Sequence, residues 1–125
     1  MKLRKIVSRL QKLHPKEIDL SLDRIKNLCK KLGNPQDEIK CIQVCGTNGK
    51  GSTISFLRSI LKEANIKCNV YTSPHVKIIN ERFVYNDKMI NDNDLSDLLS
   101  KIEEVNNNKP LTYFEALTAA FFFRM

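Results

Sequence analysis

Residues 41–61, CIQVCGTNGKGSTISFLRSIL, set two apolar stretches around three glycines and one lysine. Ile42, Val44 and Cys45 suit a short strand that runs into Gly46. Past the glycines, Ile54, Leu57, Leu61 and Ala64 recur on one helical face, widened by Phe56 and Ile60. Asn65 stands where a left-handed residue would end that helix. The next stretch, IKCNVYTSP at 66–74, reads as a second strand. Strand, helix and strand within about thirty residues form a βαβ unit, whose strands run parallel through a right-handed crossover. The expected fold class is therefore α/β, a P-loop NTPase-like parallel sheet with flanking helices.

Gly46, Gly49 and Gly51 carry no Cβ, so the backbone between strand and helix can turn sharply and aim successive N–H groups at one centre. At the start of a helix beginning near Ser52, such amides receive phosphate oxygens. Lys50 adds a mobile point charge for terminal phosphates, and Ser52 or Thr53 offers a hydroxyl to Mg²⁺. Gly46, Thr47, Asn48, Gly49, Lys50, Gly51 and Ser52 thus form a candidate ATP loop, with Lys50 as the candidate catalytic cation. The strict Walker A pattern is not met: Val44 stands where its first glycine belongs, and Gly51 where Ser or Thr follows the lysine. The competing structural reading is a glycine-rich turn with an incidental lysine.

Working outward, Leu3, Ile6, Val7, Leu10 and Leu13 recur at helical spacing until Pro15. Leu22, Ile25, Leu28 and Leu32 repeat the pattern, with Ser21 as candidate N-cap and Gly33 as stop. ERFVYNDKMI at 81–90 suggests a hairpin turning at Asn86-Asp87, and NDNDLSDLLSKIEEV at 91–105 an amphipathic helix with acidic residues in its first turn. The segment TYFEALTAAFFFRM is apolar almost all round, so as a helix it calls for protein on every side. These features suggest the opening part of a larger α/β domain.

The 125 residues carry a formal charge of +7, which favours anionic partners. The lysines are spread along the chain rather than blocked together, a solvated surface more than a nucleic-acid stripe. The four cysteines show no metal-type spacing, and Cys41, Cys45 and Cys68 fall in apolar segments, so buried reduced thiols are expected. No apolar run approaches the ~18 residues of a membrane span, and the N-terminus lacks a leader's apolar region. A cytoplasmic protein is expected, without nucleic-acid or membrane partners.

GTNGKGST at 46–53 resembles the phosphate loop of the Mur ligase superfamily, and the glycine between Lys50 and Ser52 resembles its folylpolyglutamate synthase/dihydrofolate synthase branch. LHPKEIDLSLDRI at 13–25, YTSPHVKIINERF at 71–83 and TYFEAL at 112–117 fit the same branch in the same order. The resemblance implies a Mur ligase central-domain fold, with residues 1–125 as the N-terminal portion of the ATP-binding domain and a C-terminal glutamate-binding domain outside the chain. It implies an ATP-dependent ligase that adds L-glutamate to a folate or dihydropteroate carboxylate through an acyl phosphate. It further implies that Ser73 binds Mg²⁺ and that Thr112, Tyr113, Phe114 and Glu115, with Asp19 and Leu20, contact the pterin-bearing substrate. Thr112 and Glu115 also have the spacing of a helix capping box, and Phe114 could equally be core. A non-catalytic nucleotide-binding remnant, a Mur-type peptide ligase fragment and a basic polyanion-binding domain stand as alternatives. His14 and His75 suit surface or packing roles, and Glu81 with Arg82 a local ion pair.

Overall fold

The computed structural model describes residues 2–16 and 19–125. They divide into two units, one made of residues up to Ile39 together with Asn91–Met125, the other of Lys40–Ile90.

The first unit is helical. Leu3, Ile6 and Leu10 form the buried stripe of α1 (Lys2–Gln11), which packs on α4 (Asp92–Asn106). Leu95, Leu98, Leu99 and Ile102 of α4 face α1 and α5 (Tyr113–Arg124), whose Ala116, Leu117, Ala119, Ala120 and Phe121 are buried. Small alanines let the helices approach closely, and Leu28 and Cys29 of α2 (Asp23–Lys31) complete the core. Arg9 donates from Nε and Nη2 to the two carboxylate oxygens of Glu103 at 2.6 and 2.7 Å, pinning the exposed edge between α1 and α4.

Helix ends follow the polar signals. Gly33 (φ +86°) and Asn34 close α2 in a Schellman arrangement: Asn34 N–H donates to Cys29 O at 2.8 Å and Gly33 N–H to Lys30 O at 3.2 Å. Leu22, not Ser21, holds the N-cap position of α2, although Ser21 Oγ still accepts from Asp23 N–H at 3.4 Å. Asn91 Oδ1 caps α4 by accepting from Asp94 N–H at 2.8 Å. The expectation that α5 needs cover on every side holds for its middle; Phe114 near its start and Phe123 near its end remain exposed.

The second unit carries α3 (Lys50–Glu63), ended by Asn65 at φ +55° as its position suggested, and three short strands. β1 (Asn69–Tyr71), β2 (Phe83–Tyr85) and β3 (Lys88–Met89) form an antiparallel sheet in that order. Tyr71 pairs with Phe83, and their rings meet at 5.6 Å between centroids; Phe83 is fully buried. Asn86 and Asp87 take φ of +48° and +64°, the left-handed pair required by a two-residue hairpin turn.

The expected parallel pair is not present among the described residues. Residues 41–45 form no ladder, and β1 pairs with the hairpin that follows it. β1 is an edge strand with β2 on one side and no strand on the other among the described residues, and a parallel partner there would need a crossover helix packed on a sheet face. No residue of α3 is buried, and Phe56 is 71% exposed, so the crossover helix has no such face beneath it. The same arrangement leaves Cys41 and Cys45 exposed rather than buried, with Cys68 half-buried and only Cys29 in a core.

Candidate functional site

Gly46 (φ +151°) and Gly49 (φ +77°, ψ +4°) adopt backbone conformations that a side chain would strain, and Gly49 occupies the N-cap position of α3. The loop therefore delivers its amides to the positive end of a helix fourteen residues long. Lys50, the first residue of α3, curls back so that Nζ donates to Gly46 O at 2.7 Å and Thr47 O at 3.3 Å. Its ammonium is thereby carried over the loop instead of into open solvent. Thr53 Oγ1 donates to Gly49 O at 2.9 Å, a bond along the helix axis. Ser52 makes no side-chain hydrogen bond among the described residues and stays exposed, which favours it over Thr53 as the available hydroxyl.

Ser73 follows β1 in an exposed loop, and its Oγ accepts from Arg82 Nη1 at 3.3 Å. Arg82 is buried and donates from Nε to His75 Nδ1 at 2.9 Å, which makes that nitrogen the unprotonated one. Glu81 and Arg82 do not pair with each other as the sequence suggested. Glu81 instead accepts three backbone N–H groups, from Val76 and Lys77 at 2.8 Å and Ile78 at 2.9 Å. Those bonds, to Val76 first, hold its carboxyl below the ordinary glutamate range. Glu81 thus shapes the loop while Arg82 fixes the side chains of Ser73 and His75. Neighbouring residues in sequence point to different partners, which one-dimensional pattern does not foretell. No group of three or more His, Cys, Asp or Glu side chains gathers for a metal among the described residues.

In the helical unit the other expected site residues come together. Thr112 and Glu115 form the capping box of α5: Thr112 Oγ1 accepts from Glu115 N–H at 3.3 Å and Glu115 Oε2 accepts from Thr112 N–H at 2.8 Å. Glu115 also receives both arms of Arg24, Nε on Oε2 and Nη2 on Oε1, each at 3.1 Å. The same Nη2 lies 3.2 Å from Asp19 Oδ1 and 3.1 Å from Asp19 O. Asp19 is held below the usual carboxylate range, first by Ser21 N–H and then by Arg24. His14 Nε2 stands 3.7 Å from its other oxygen. Arg24 therefore joins the 19–22 and 112–115 segments, although sequence reading singled out only the segments. Phe114 is 48% exposed and not core, Leu20 is 90% exposed, and Tyr113 is half-buried. Glu17 and Ile18 of the same motif lie outside the described residues.

No family model matches the chain. A dihydrofolate synthase/folylpolyglutamate synthase of Bacillus subtilis is 37% identical over 108 residues, covering 81% of this chain and 25% of the relative. The structure of Escherichia coli FolC in complex with DHPP and ADP superposes with a TM-score of 0.88 at 35% identity, covering 97% of this chain and 29% of that one. A bifunctional folylpolyglutamate synthase/dihydrofolate synthase with Mn, AMPPNP and L-glutamate bound gives 0.84 at 32% identity, covering 96% and 29%. Sequence and fold agree on one class, the folate-linked synthases. Within that class the chain belongs to the dihydrofolate synthase/folylpolyglutamate synthase family. It spans about a quarter of the length of the relatives it matches.

Proposed function

We propose that this chain supplies the phosphate loop and part of the pterin site of a cytoplasmic ATP-dependent ligase that adds L-glutamate to dihydropteroate or tetrahydrofolate. In this reading residues 1–125 are the N-terminal portion of the ATP-binding domain of a Mur ligase-type fold, and the glutamate-binding domain lies elsewhere in the protein. The observation that carries it is the glycine loop at the head of α3 with Lys50 folded across it. Neighbours of the same fold that hold ADP or AMPPNP support nucleotide binding. No helix among the described residues is long and apolar enough to cross a membrane.

The loop amides of Thr47 to Lys50 would hold the phosphates, and Lys50 would exchange two neutral carbonyl partners for phosphate oxygens. As charge builds on the transferred phosphoryl group, the ammonium is already in place to offset it. The hydroxyls of Ser52 and Ser73 would fit Mg²⁺, a hard cation held largely by phosphates and water. Bound there, the cation would neutralise phosphate charge. Phe114 and Leu20 would offer apolar faces to a flat pterin ring. The substrate carboxylate would take the γ-phosphoryl group of ATP with ADP leaving, and the neutral glutamate amine would attack the acyl carbon, forming the amide, losing a proton and expelling inorganic phosphate.

The test is phosphate release by the protein carrying this chain, with ATP–Mg²⁺, L-glutamate and either dihydropteroate or tetrahydrofolate. Release that requires both the pterin substrate and glutamate is expected. ATP binding without glutamate-dependent release would favour the nucleotide-binding remnant and overturn the ligase reading.

A further inference from the structure

Between α1 and α2 the described residues form no helix or strand, yet Asp19 and Ser21 are held against the start of α5, more than ninety residues away in sequence. One side chain does this. The Arg24 guanidinium bonds both oxygens of Glu115, the Asp19 carbonyl at 3.1 Å and the Ser21 carbonyl at 3.3 Å, and faces the Asp19 carboxylate. Its side chain is mostly covered, as is that of Glu115. A buried ion pair is a weak stabiliser, because desolvation offsets much of its attraction; what a planar bidentate fork supplies is fixed geometry. Here it fixes two segments whose next residues hold large apolar side chains in solvent, Leu20 beside Asp19 and Phe114 beside Glu115. Glu115 is shared with the capping box, so the first turn of α5 is keyed to the same guanidinium.

We propose that Arg24 is a positioning residue for the pterin-bearing substrate, setting the relation of the Asp19–Leu20 segment to Phe114 without touching the ligand. This rests on the pterin-site reading above. Lysine cannot reproduce the fork, so Arg24→Lys keeps the charge and removes the geometry. The protein carrying this chain, wild type and variant, is titrated with dihydropteroate and separately with ATP–Mg²⁺, and amide hydrogen exchange is followed at Ser21 and Thr112. A second variant, Arg24→Gln with Glu115→Gln, removes both charges together and guards against loss of folding from an unpaired carboxylate. Both variants are expected to exchange faster at Ser21 and Thr112 and to bind dihydropteroate about tenfold more weakly, since small misplacements of binding groups carry costs of this order or larger. ATP–Mg²⁺ affinity stays within twofold, which general unfolding would not allow. Unchanged exchange, or unchanged dihydropteroate affinity in variants whose wild type binds it, overturns the assignment of Arg24. A wild type that binds ATP–Mg²⁺ but no dihydropteroate overturns the pterin reading itself, and the Arg24 proposal with it.

Discussion

Replacing Lys50 with alanine removes the one cation in the glycine loop, whose other residues are neutral. In the structure its Nζ is bonded, among the described residues, to the carbonyls of Gly46 and Thr47, at 2.7 and 3.3 Å, in an exposed loop where water replaces such bonds readily. Folding should therefore change little, within the ±0.5 kcal/mol usual for surface substitutions. Nucleotide binding should change greatly. Losing a charged partner of the phosphates costs roughly 2–4 kcal/mol, which corresponds to about 30- to 1000-fold in Kd. Calorimetric titration with ATP–Mg²⁺, paired with a urea unfolding curve, measures the two effects separately. Affinity within about threefold of wild type, with the folding midpoint intact, would refute the assignment of the loop to ATP. An equal loss of both would mean that Lys50 serves the loop's own structure.

Three further outcomes are expected. Gly49→Ala leaves every charge in place but puts a Cβ at φ +77°, so it should destabilise α3 by about 1–2 kcal/mol and weaken ATP binding with it; a neutral effect in both assays would contradict the loop geometry. Ser73→Ala should raise the Mg²⁺ concentration needed for half-maximal phosphate release more than it raises the KM for the pterin substrate, and equal shifts would leave Ser73 a loop residue only. Glu81 has a depressed carboxyl pKa, so its hold on the 76–78 amides is fully present above the ordinary value of 4.5 and is lost as pH falls through its lower folded value. Exchange of those three amides should accelerate in acid across that window in wild type, while in Glu81→Gln it should be fast already at neutral pH; an acid response retained by the variant would assign the effect to another group.

Local signals carried much of this protein in the sequence itself. Helix stops are the clearest case. Gly33 and Asn65 take the left-handed conformation their positions demanded, and Asn86-Asp87 turns the hairpin, because positive φ is decided by a residue's own Cβ and short polar side chain. The Thr112–Glu115 box formed for a similar reason: both partners lie within one helical turn. The glycine loop was legible too, since clustered glycines followed by a helix leave the backbone few other uses. Tertiary structure decided what depends on distant partners. Whether residues 41–45 pair as a parallel strand turns on neighbours that cover a sheet, and α3, the helix that would cross over, has no buried residue. Cys41 and Cys45, which an apolar pattern alone assigns to a core, are exposed there. Glu81 and Arg82 stand side by side in sequence yet serve three backbone amides and two side chains respectively. Arg24 meets Glu115 across more than ninety residues, and nothing in the spacing of either announces the other. Pairings of this kind are written by packing, because the energy that selects them comes from desolvation and geometry that exist only once the helices have met.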